Sequence, residues 1–395
     1  MEHQTHLDSH CTIRLIEKNE IRLARALMEQ CFEPYFQPIF FIHPQSTLVA
    51  VHNDRILGGI NLDIYPVLGG KRLVGYIGWL YIEQESRGLG LGRALVAAAL
   101  EFLKKAGCTD AGACVEGDNP SSFKQLAHQG FAPLPLGKQI RRFSFGMLKI
   151  WKHASRFFDM GYFFWHKDLT GAKDSLDHDP PAAQVLSPSW GPQVRRMAST
   201  AAMALAMWMI TLWRMRLLPI LSSSLPLCFW ILWVGFPLLV IGLRTFAMRI
   251  AASLAGMPVV YQNWDTANVL GFLLPLAIGW PFPVPGNWYP KGFDWQLAQE
   301  NRRLGSIALV GTACSILLWA VVRMVARHGL LATLWGMESG LLMAPFDRYL
   351  MVMALVDSLG FFYPFCGFNA SRIKRMSLPV WMAVSLVAIS ILILL

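Results

Sequence analysis

Residues 87 to 93 read Arg87-Gly88-Leu89-Gly90-Leu91-Gly92-Arg93, two cations enclosing three alternating glycines, a pattern suited to holding an anion. Glycine reaches positive φ and leaves room for a ligand beside the backbone, so several N–H groups of such a turn face one anion together. A helix starting there adds the positive end of its dipole. The chemistry implied is a pyrophosphate cradle. Its supports are legible on either side. Leu73 to Ile82 carries the β-branched and aromatic residues of a buried strand, and Ala94 to Lys105 spaces Leu95, Ala98, Ala99 and Phe102 as a helix would.

Other folds cradle phosphates, and two of them are excluded here. A dinucleotide-binding turn needs a third glycine three residues after the second and an acid about 20 residues on, whereas these glycines alternate. A P-loop needs Gly-Lys-Ser/Thr, which is missing. The segment resembles the acyl-CoA loop of the GNAT N-acetyltransferases, Arg/Gln-x-x-Gly-x-Gly/Ala between the fourth strand and the next helix. Arg87, Gly90 and Gly92 fill its three fixed positions. Downstream, Asp110 to Val115 reads as a strand, and Asn119-Pro120-Ser121-Ser122 through Leu126 to Gly130-Phe131 repeats the family's Asn-x-x-Ala and Gly-Phe pattern. The likeness extends back through a strand near Thr12 to Ile16, a helix from Glu20 to Phe32, and strands near Leu48 to His52 and Ile56 to Ile64. It implies that Ile82, Arg87, Gly88, Leu89, Gly90, Gly92 and Arg93 hold acetyl-CoA or another acyl-CoA, and that Asn119 positions the pantetheine arm or the loop beside it.

Two expected groups are missing. The family often places a Tyr seven residues after the motif Asn to protonate the leaving thiolate; this chain has Leu126. It often places a carboxylate on the fourth strand as base; this chain has Gly78 and Trp79. General acid–base catalysis needs a titratable group within reach of the proton it moves. The catalytic residues are therefore not assigned by the motif. Glu83, Glu85, His128 and Tyr81 are the nearby substitutes, each with a plainer role as a solvated residue, an exposed helix residue or core. Proximity alone also accelerates acyl transfer.

The chain has 395 residues, 54 % of them hydrophobic, and its apolar character rises sharply near Met197. Apolar runs at Met197 to Trp213, Leu217 to Leu243, Ala267 to Trp280, Ser306 to Val322, Tyr349 to Phe362 and Leu378 to Leu395 predict five or six membrane spans. The amino terminus has no apolar signal core, and CoA is intracellular, so residues 1 to 196 are expected in the cytoplasm of a cell, in all a bacterial inner-membrane arrangement. The seven cysteines form no Cys-x-x-Cys pair and imply no disulfide framework. Net charge is +10, yet no dense basic stripe with interleaved aromatics points to nucleic acid. Cations at membrane edges, Arg302, Arg303, Arg372, Lys374 and Arg375, are expected to meet anionic lipid headgroups. Residues 150 to 167 mix aromatic and basic side chains, either as an interfacial amphipathic helix or as the last strand and edge packing of the soluble fold; Asp174 to Gln193 reads as a polar linker.

Three patterns in the apolar half resemble the site-2 protease family. They are Gly279-Trp280-Pro281-Phe282-Pro283-Val284-Pro285-Gly286-Asn287, the stretch from Leu304 to Ser315, and the stretch from Phe361 to Ile373. The resemblance implies that the zinc-binding His-Glu-x-x-His helix lies over Arg244, Thr245 and Met248, and that Asn369 stands where the metal-binding Asp would be. A cation, a thioether and an amide make no tetrahedral zinc site, so no metal is expected. Ordinary Pro-rich membrane turns would produce the same patterns. Arg244 and Arg249, charged within an apolar run, are expected to bind a lipid phosphate or substrate carboxylate, or to snorkel to the interface.

The expected architecture is a mixed α/β, GNAT-like domain over residues 1–148, a joining segment over 149–196, and an α-helical multi-pass membrane domain over 197–395. The expected function is a membrane-tethered N-acyltransferase moving an acyl group from CoA to an unidentified amine, which tethering favours as membrane-linked. The alternative is a non-catalytic, pseudoprotease-like membrane protein with a CoA-sensing domain.

Overall fold

The computed structural model describes residues 11–155, 158–171, 182, 186–218, 227–328 and 339–394. The chain folds as two compact units, Met1–Arg156 with Phe163–Val185, and Phe157–Tyr162 with Leu186–Leu395. Residues 1 to 10 and most of the polar linker lie outside the described residues.

The first unit is built on a seven-stranded sheet in the order β1-β2-β3-β4-β5-β7-β6. Its strands are β1 (Thr12–Leu15), β2 (Thr47–His52), β3 (Arg55–Val67), β4 (Arg72–Ile82), β5 (Asp110–Glu116), β6 (Ala132–Pro133) and β7 (Tyr162–Asp168). The first four pair antiparallel and β4 pairs parallel with β5. Five of the six residues of β2 are buried, as a strand covered on both faces requires. The helices are α1 (Ile21–Cys31), α2 (Leu91–Lys105), α3 (Pro120–His128), α4 (Leu136–Phe143) and α5 (Gly146–His153). Helix α2 buries Leu91, Leu95, Val96, Ala99, Leu100 and Leu103, one stripe at helical spacing.

The amphipathic-helix expectation for residues 150 to 167 is corrected: α5 stops at His153, and Tyr162–Asp168 is strand β7. A strand at that place lets the sheet run past residue 148. Asp110 on β5 explains why it is held there. Its buried carboxylate takes Arg142 Nε at 2.6 Å from α4, His166 Nε2 at 2.9 Å from β7 and Thr109 Oγ1 at 2.6 Å. Burial by itself pushes this carboxyl up, but the hydrogen bonds from His166 and Thr109 and the Arg142 charge outweigh it and hold the group well below the usual carboxylate range.

The second unit is helical, with α6 (Trp190–Arg214), α7 (Leu227–Leu254), α8 (Ala267–Ile278), α9 (Leu297–Arg327), α10 (Ser339–Leu359), α11 (Asn369–Met376) and α12 (Leu378–Leu394). A short antiparallel pair, β8 (Val259–Gln262) and β9 (Asn287–Pro290), interrupts them. Two of these helices, Ile231–Leu254 within α7 and Leu297–Arg327, are long and apolar enough to cross a membrane. The predicted run from Leu217 falls partly outside the described residues; α7 is described from Leu227. Helix α9 buries Leu304, Ile307, Ala308, Gly311, Ser315 and Trp319, a stripe facing its neighbours.

Candidate functional site

Strands β4 and β5 pair only from Val74–Asp110 to Ile77–Ala113, although β4 continues to Ile82 and β5 to Glu116. Past that point they part. The turn leaving β4 is the glycine-rich segment, and α2 starts directly from it. Gly88 and Gly90 have φ of 87° and 82°, the left-handed region that side chains with a Cβ resist. Gly90 is the N-cap of α2 and brings no side-chain hydrogen bond, so the first-turn N–H groups of α2 carry no side-chain cap. Residues Arg87 to Gly90 and Arg93 are exposed. An exposed helix N-terminus with uncapped donors and flanking guanidinium groups has the composition of an anion site.

Of the other predicted cofactor-binding residues, Ile82, Leu89 and Gly92 belong to this turn and its ends, and Asn119 starts α3, which packs on α2. Ile82 ends β4; its carbonyl accepts Arg87 Nε at 3.1 Å and Cys31 Sγ at 3.3 Å. Gly92 is buried in the first turn of α2, where a Cβ would stand 3.2 Å from Ile82 Cδ1. Leu89 is exposed at the tip of the turn. Asn119 caps α3, its Oδ1 accepting the Ser122 N–H at 3.0 Å, so this side chain sets the start of the helix next to α2.

The predicted acid–base substitutes are dispersed. Glu83 pairs with Arg55, and Glu85 lies 4.0 Å from the same guanidinium. His128 is exposed at the end of α3. Tyr81 is buried, its hydroxyl without a hydrogen-bond partner, and burial followed by the nearby Cys31 pushes its pKa well above the usual tyrosine value. Trp79 is enclosed by Phe32, Phe36 and Phe40 at ring distances of 5.0, 5.7 and 4.8 Å. Gly78 has no pairing partner between Trp79–Asn61 and Ile77–Leu62, so it is the extra residue of a β-bulge. A Cβ there would meet the Phe41 ring at 2.4 Å, so the chain excludes a carboxylate from this position.

A second ionisable pair was not read from the sequence. His153 Nδ1 on α5 lies 2.7 Å from Asp63 Oδ2 on β3, and its ring stacks on Tyr65 at 3.8 Å. The two residues are 90 positions apart, which no local spacing reveals.

In the second unit Arg244 is not available to a lipid phosphate: it is buried and held by Asp357 through Nε–Oδ2 at 2.7 Å and Nη2–Oδ1 at 2.8 Å. Ser315 Oγ donates to Asp357 Oδ2 at 3.1 Å, and the Asn369 N–H reaches Oδ1 at 3.5 Å. Asn369 Nδ2 lies 4.0 Å from Met248 Sδ, and Asn287 Nδ2 donates to Asn369 Oδ1 at 3.3 Å. Gly311 permits this closeness, since a Cβ there would stand 2.5 Å from Met248 Sδ. The structure thus brings Arg244, Met248, Asn287 and Asn369 together. Asp357, which binds Arg244 and the Asn369 N–H, was not singled out in the sequence, although an acid in an apolar run is itself a signal. Arg249 is separate, 5.7 Å from the Trp288 ring and 3.4 Å from Ser253 Oγ. Arg372, expected at the lipid surface, is instead buried and donates to the Trp288 carbonyl at 2.8 Å. Among the described residues no group of three or more His, Cys, Asp or Glu is arranged to hold a metal ion.

Comparison with known proteins bears on the first unit. Residues 16–131 match the Acetyltransferase (GNAT) family. The chain is 30% identical over 113 residues to N-alpha-acetyltransferase 30 of Schizosaccharomyces pombe, covering 28% of this chain and 75% of that protein. It is 33% identical over 100 residues to mycothiol acetyltransferase of Geodermatophilus obscurus, covering 25% of this chain and 30% of that protein, so the match spans about a third of that relative's length. A chain from the crystal structure of the NatC complex bound to Gag peptide and CoA aligns with 41% of this chain and 99% of its own, at 20% identity and a TM-score of 0.30. The chain belongs to the acetyltransferase (GNAT) family, and its first unit is an N-acetyltransferase domain.

Proposed function

We propose that the first unit moves an acetyl group from acetyl-CoA to an amine, with the pyrophosphate held by the N–H groups of Gly88 to Gly92 and by Arg87 and Arg93. The observation that carries this is the uncapped N-terminus of α2, entered through left-handed Gly90, at the point where β4 and β5 part. Asn119 sets the neighbouring helix against which the pantetheine arm runs. The relatives named for N-alpha and mycothiol acetylation direct the search for an acceptor toward α-amino groups and small-molecule amines.

The second unit is proposed to be a multi-pass anchor in a bacterial inner membrane, with the first unit on the cytoplasmic side where CoA is found. Its support is the pair of long apolar helices together with the shorter apolar helices α8 and α12. The same unit is proposed to be a site-2-protease-like frame that no longer holds zinc. That rests on the meeting of Arg244, Met248, Asn369 and Asn287, with Arg244 paired to Asp357. Confinement to the membrane raises the effective concentration of a membrane-linked amine, the acceptor class this arrangement favours.

The test is calorimetric titration of the purified full-length protein with acetyl-CoA, followed by CoA release with peptides bearing free α-amino groups, small amines and amine-bearing lipids. Binding with turnover on at least one class is expected. Binding without turnover on any class would favour the CoA-sensing alternative, for which the missing Tyr at position 126 and missing carboxylate at Gly78 already speak. Absence of binding would overturn both.

A further inference from the structure

The sheet of the first unit has two faces, and α2 covers one of them: a Cβ on Gly75 would strike Leu103 of α2. Alternate residues of a strand face opposite ways, so Val74 and Tyr76 look away from α2. They belong to a buried cluster with Tyr65 and Val67 of β3, Phe143 of α4, and Ile150 and Ala154. Phe41, which stands against Gly78, packs on the same cluster, as does Cys114, the first residue of β5 beyond its pairing with β4. Strands β4 and β5 thus part next to this second face. A thioester entering from the cradle would present its carbonyl there.

One acid–base pair stands on that second face, on β3 one strand away from where β4 and β5 part. Asp63 is directly opposite Tyr76 in the β3–β4 ladder, two residues from the bulged Gly78, which is about 7 Å along a strand. His153 meets Asp63 through Nδ1 at 2.7 Å. Both side chains are partly open to solvent, His153 by 30% and Asp63 by 23%. The imidazole lies flat on Tyr65, whose buried hydroxyl has no hydrogen-bond partner. A carboxylate on Nδ1 fixes the ring and the tautomer, which leaves Nε2 with a lone pair for a proton. This is the arrangement a general base requires, and it stands where neither Gly78 nor Trp79 supplies one.

We propose that His153 is the general base of the acetyl transfer, acting on the acceptor directly or through one water, with Asp63 as its positioning residue. The inference rests on the N-acetyltransferase reading above. The acceptor enters as an ammonium ion; His153 Nε2 takes one proton and leaves a neutral amine. The amine lone pair forms the N–C bond to the thioester carbonyl, whose π electrons move to oxygen. Return of those electrons breaks the C–S bond, and the second proton on nitrogen passes to the departing thiolate. The products are the amide, CoA as its thiol, and a proton that His153 returns to solvent.

The experiment compares His153→Gln, Asp63→Asn and His43→Gln in the full-length protein, each measured for kcat with the best acceptor and for acetyl-CoA affinity by calorimetry. Glutamine still offers an N–H to Asp63, so His153→Gln keeps the tether of α5 to β3 while removing the base. His43 is the control: its ring stacks on Phe41 at 5.2 Å on the same face. The expected result is a fall in kcat of about 10²-fold for His153→Gln and about tenfold for Asp63→Asn, with acetyl-CoA affinity within about twofold and His43→Gln within about threefold of wild type. Imidazole added to His153→Ala is expected to restore part of the lost rate, which a purely structural role would not permit. The proposal is overturned if His153→Gln keeps more than about half the wild-type kcat, if kcat and acetyl-CoA affinity fall together, or if only His43→Gln is inactive. Wild-type protein that fails to bind acetyl-CoA would instead overturn the parent reading, and this one with it.

Discussion

The turn at Arg87 to Gly92 and the cluster around Arg244 and Asp357 are opposite solutions to placing polar groups. The turn exposes Arg87 to Gly90 and leaves the start of α2 without a side-chain cap. The cluster turns donors onto acceptors within the chain: guanidinium on carboxylate, Ser315 on the same carboxylate, Asn287 on Asn369. Groups left open can recognise a ligand, whereas groups that satisfy one another hold helices together. This difference marks the turn as open to a ligand and the cluster as a contact that packs helices.

The most disruptive way to test the contrast is to break the closed cluster. Arg244→Ala leaves the Asp357 carboxylate buried without its bidentate partner and should destabilise the protein by about 3–5 kcal/mol, whereas Arg244→Met combined with Asp357→Leu should recover most of that loss. Thermal unfolding in detergent measures both. Equal behaviour of the single and double variants would mean that the pair does not carry the helix packing.

Asp110 is the corresponding closed cluster of the first unit, and Asp110→Asn should cost about 3 kcal/mol. Its pKa is depressed on folding, so its contribution is complete above the ordinary carboxylate value of about 3.9 and is lost as the pH falls through and below it. Hydrogen exchange of β5 and β7 amides, corrected for intrinsic rates, should show this acid-dependent loosening in wild type. It should be flattened in Asp110→Asn.

At the open turn the expected effect is smaller. Gly90→Val puts a β-branched residue at φ 82° and a side chain where phosphate oxygens approach, and should weaken acetyl-CoA binding at least tenfold, about 1.4 kcal/mol. Calorimetry decides, and unchanged affinity would remove the cradle assignment. The smallest effect concerns metal. Added zinc should shift the unfolding temperature of the full-length protein by nothing measurable, because Arg244 is paired and Met248 and Asn369 are poor zinc ligands. One zinc per chain by elemental analysis, lost on Asn369→Ala, would overturn the pseudoprotease reading.

The sequence by itself determined the local chemistry of the first unit. Alternation and glycine spacing are short-range signals, so β4, the turn and α2 were legible, as was their order with β5 and Asn119. The predicted strand from Leu73 to Ile82 is β4 from Arg72, and the helix predicted from Ala94 begins at Leu91, within one turn. Residues 150 to 167 defeated the same method because aromatic and basic side chains suit an interface and a sheet edge equally. Only the pairing of β7 beside β5, fixed by His166 and Arg142 on Asp110, decided between them. Tertiary structure alone joined Asp63 to His153, 90 residues away, and Arg244 to Asp357, 113 residues away. Such contacts follow from which faces of strands and helices are buried together, and a charge's partner across that distance leaves no periodic trace in the chain.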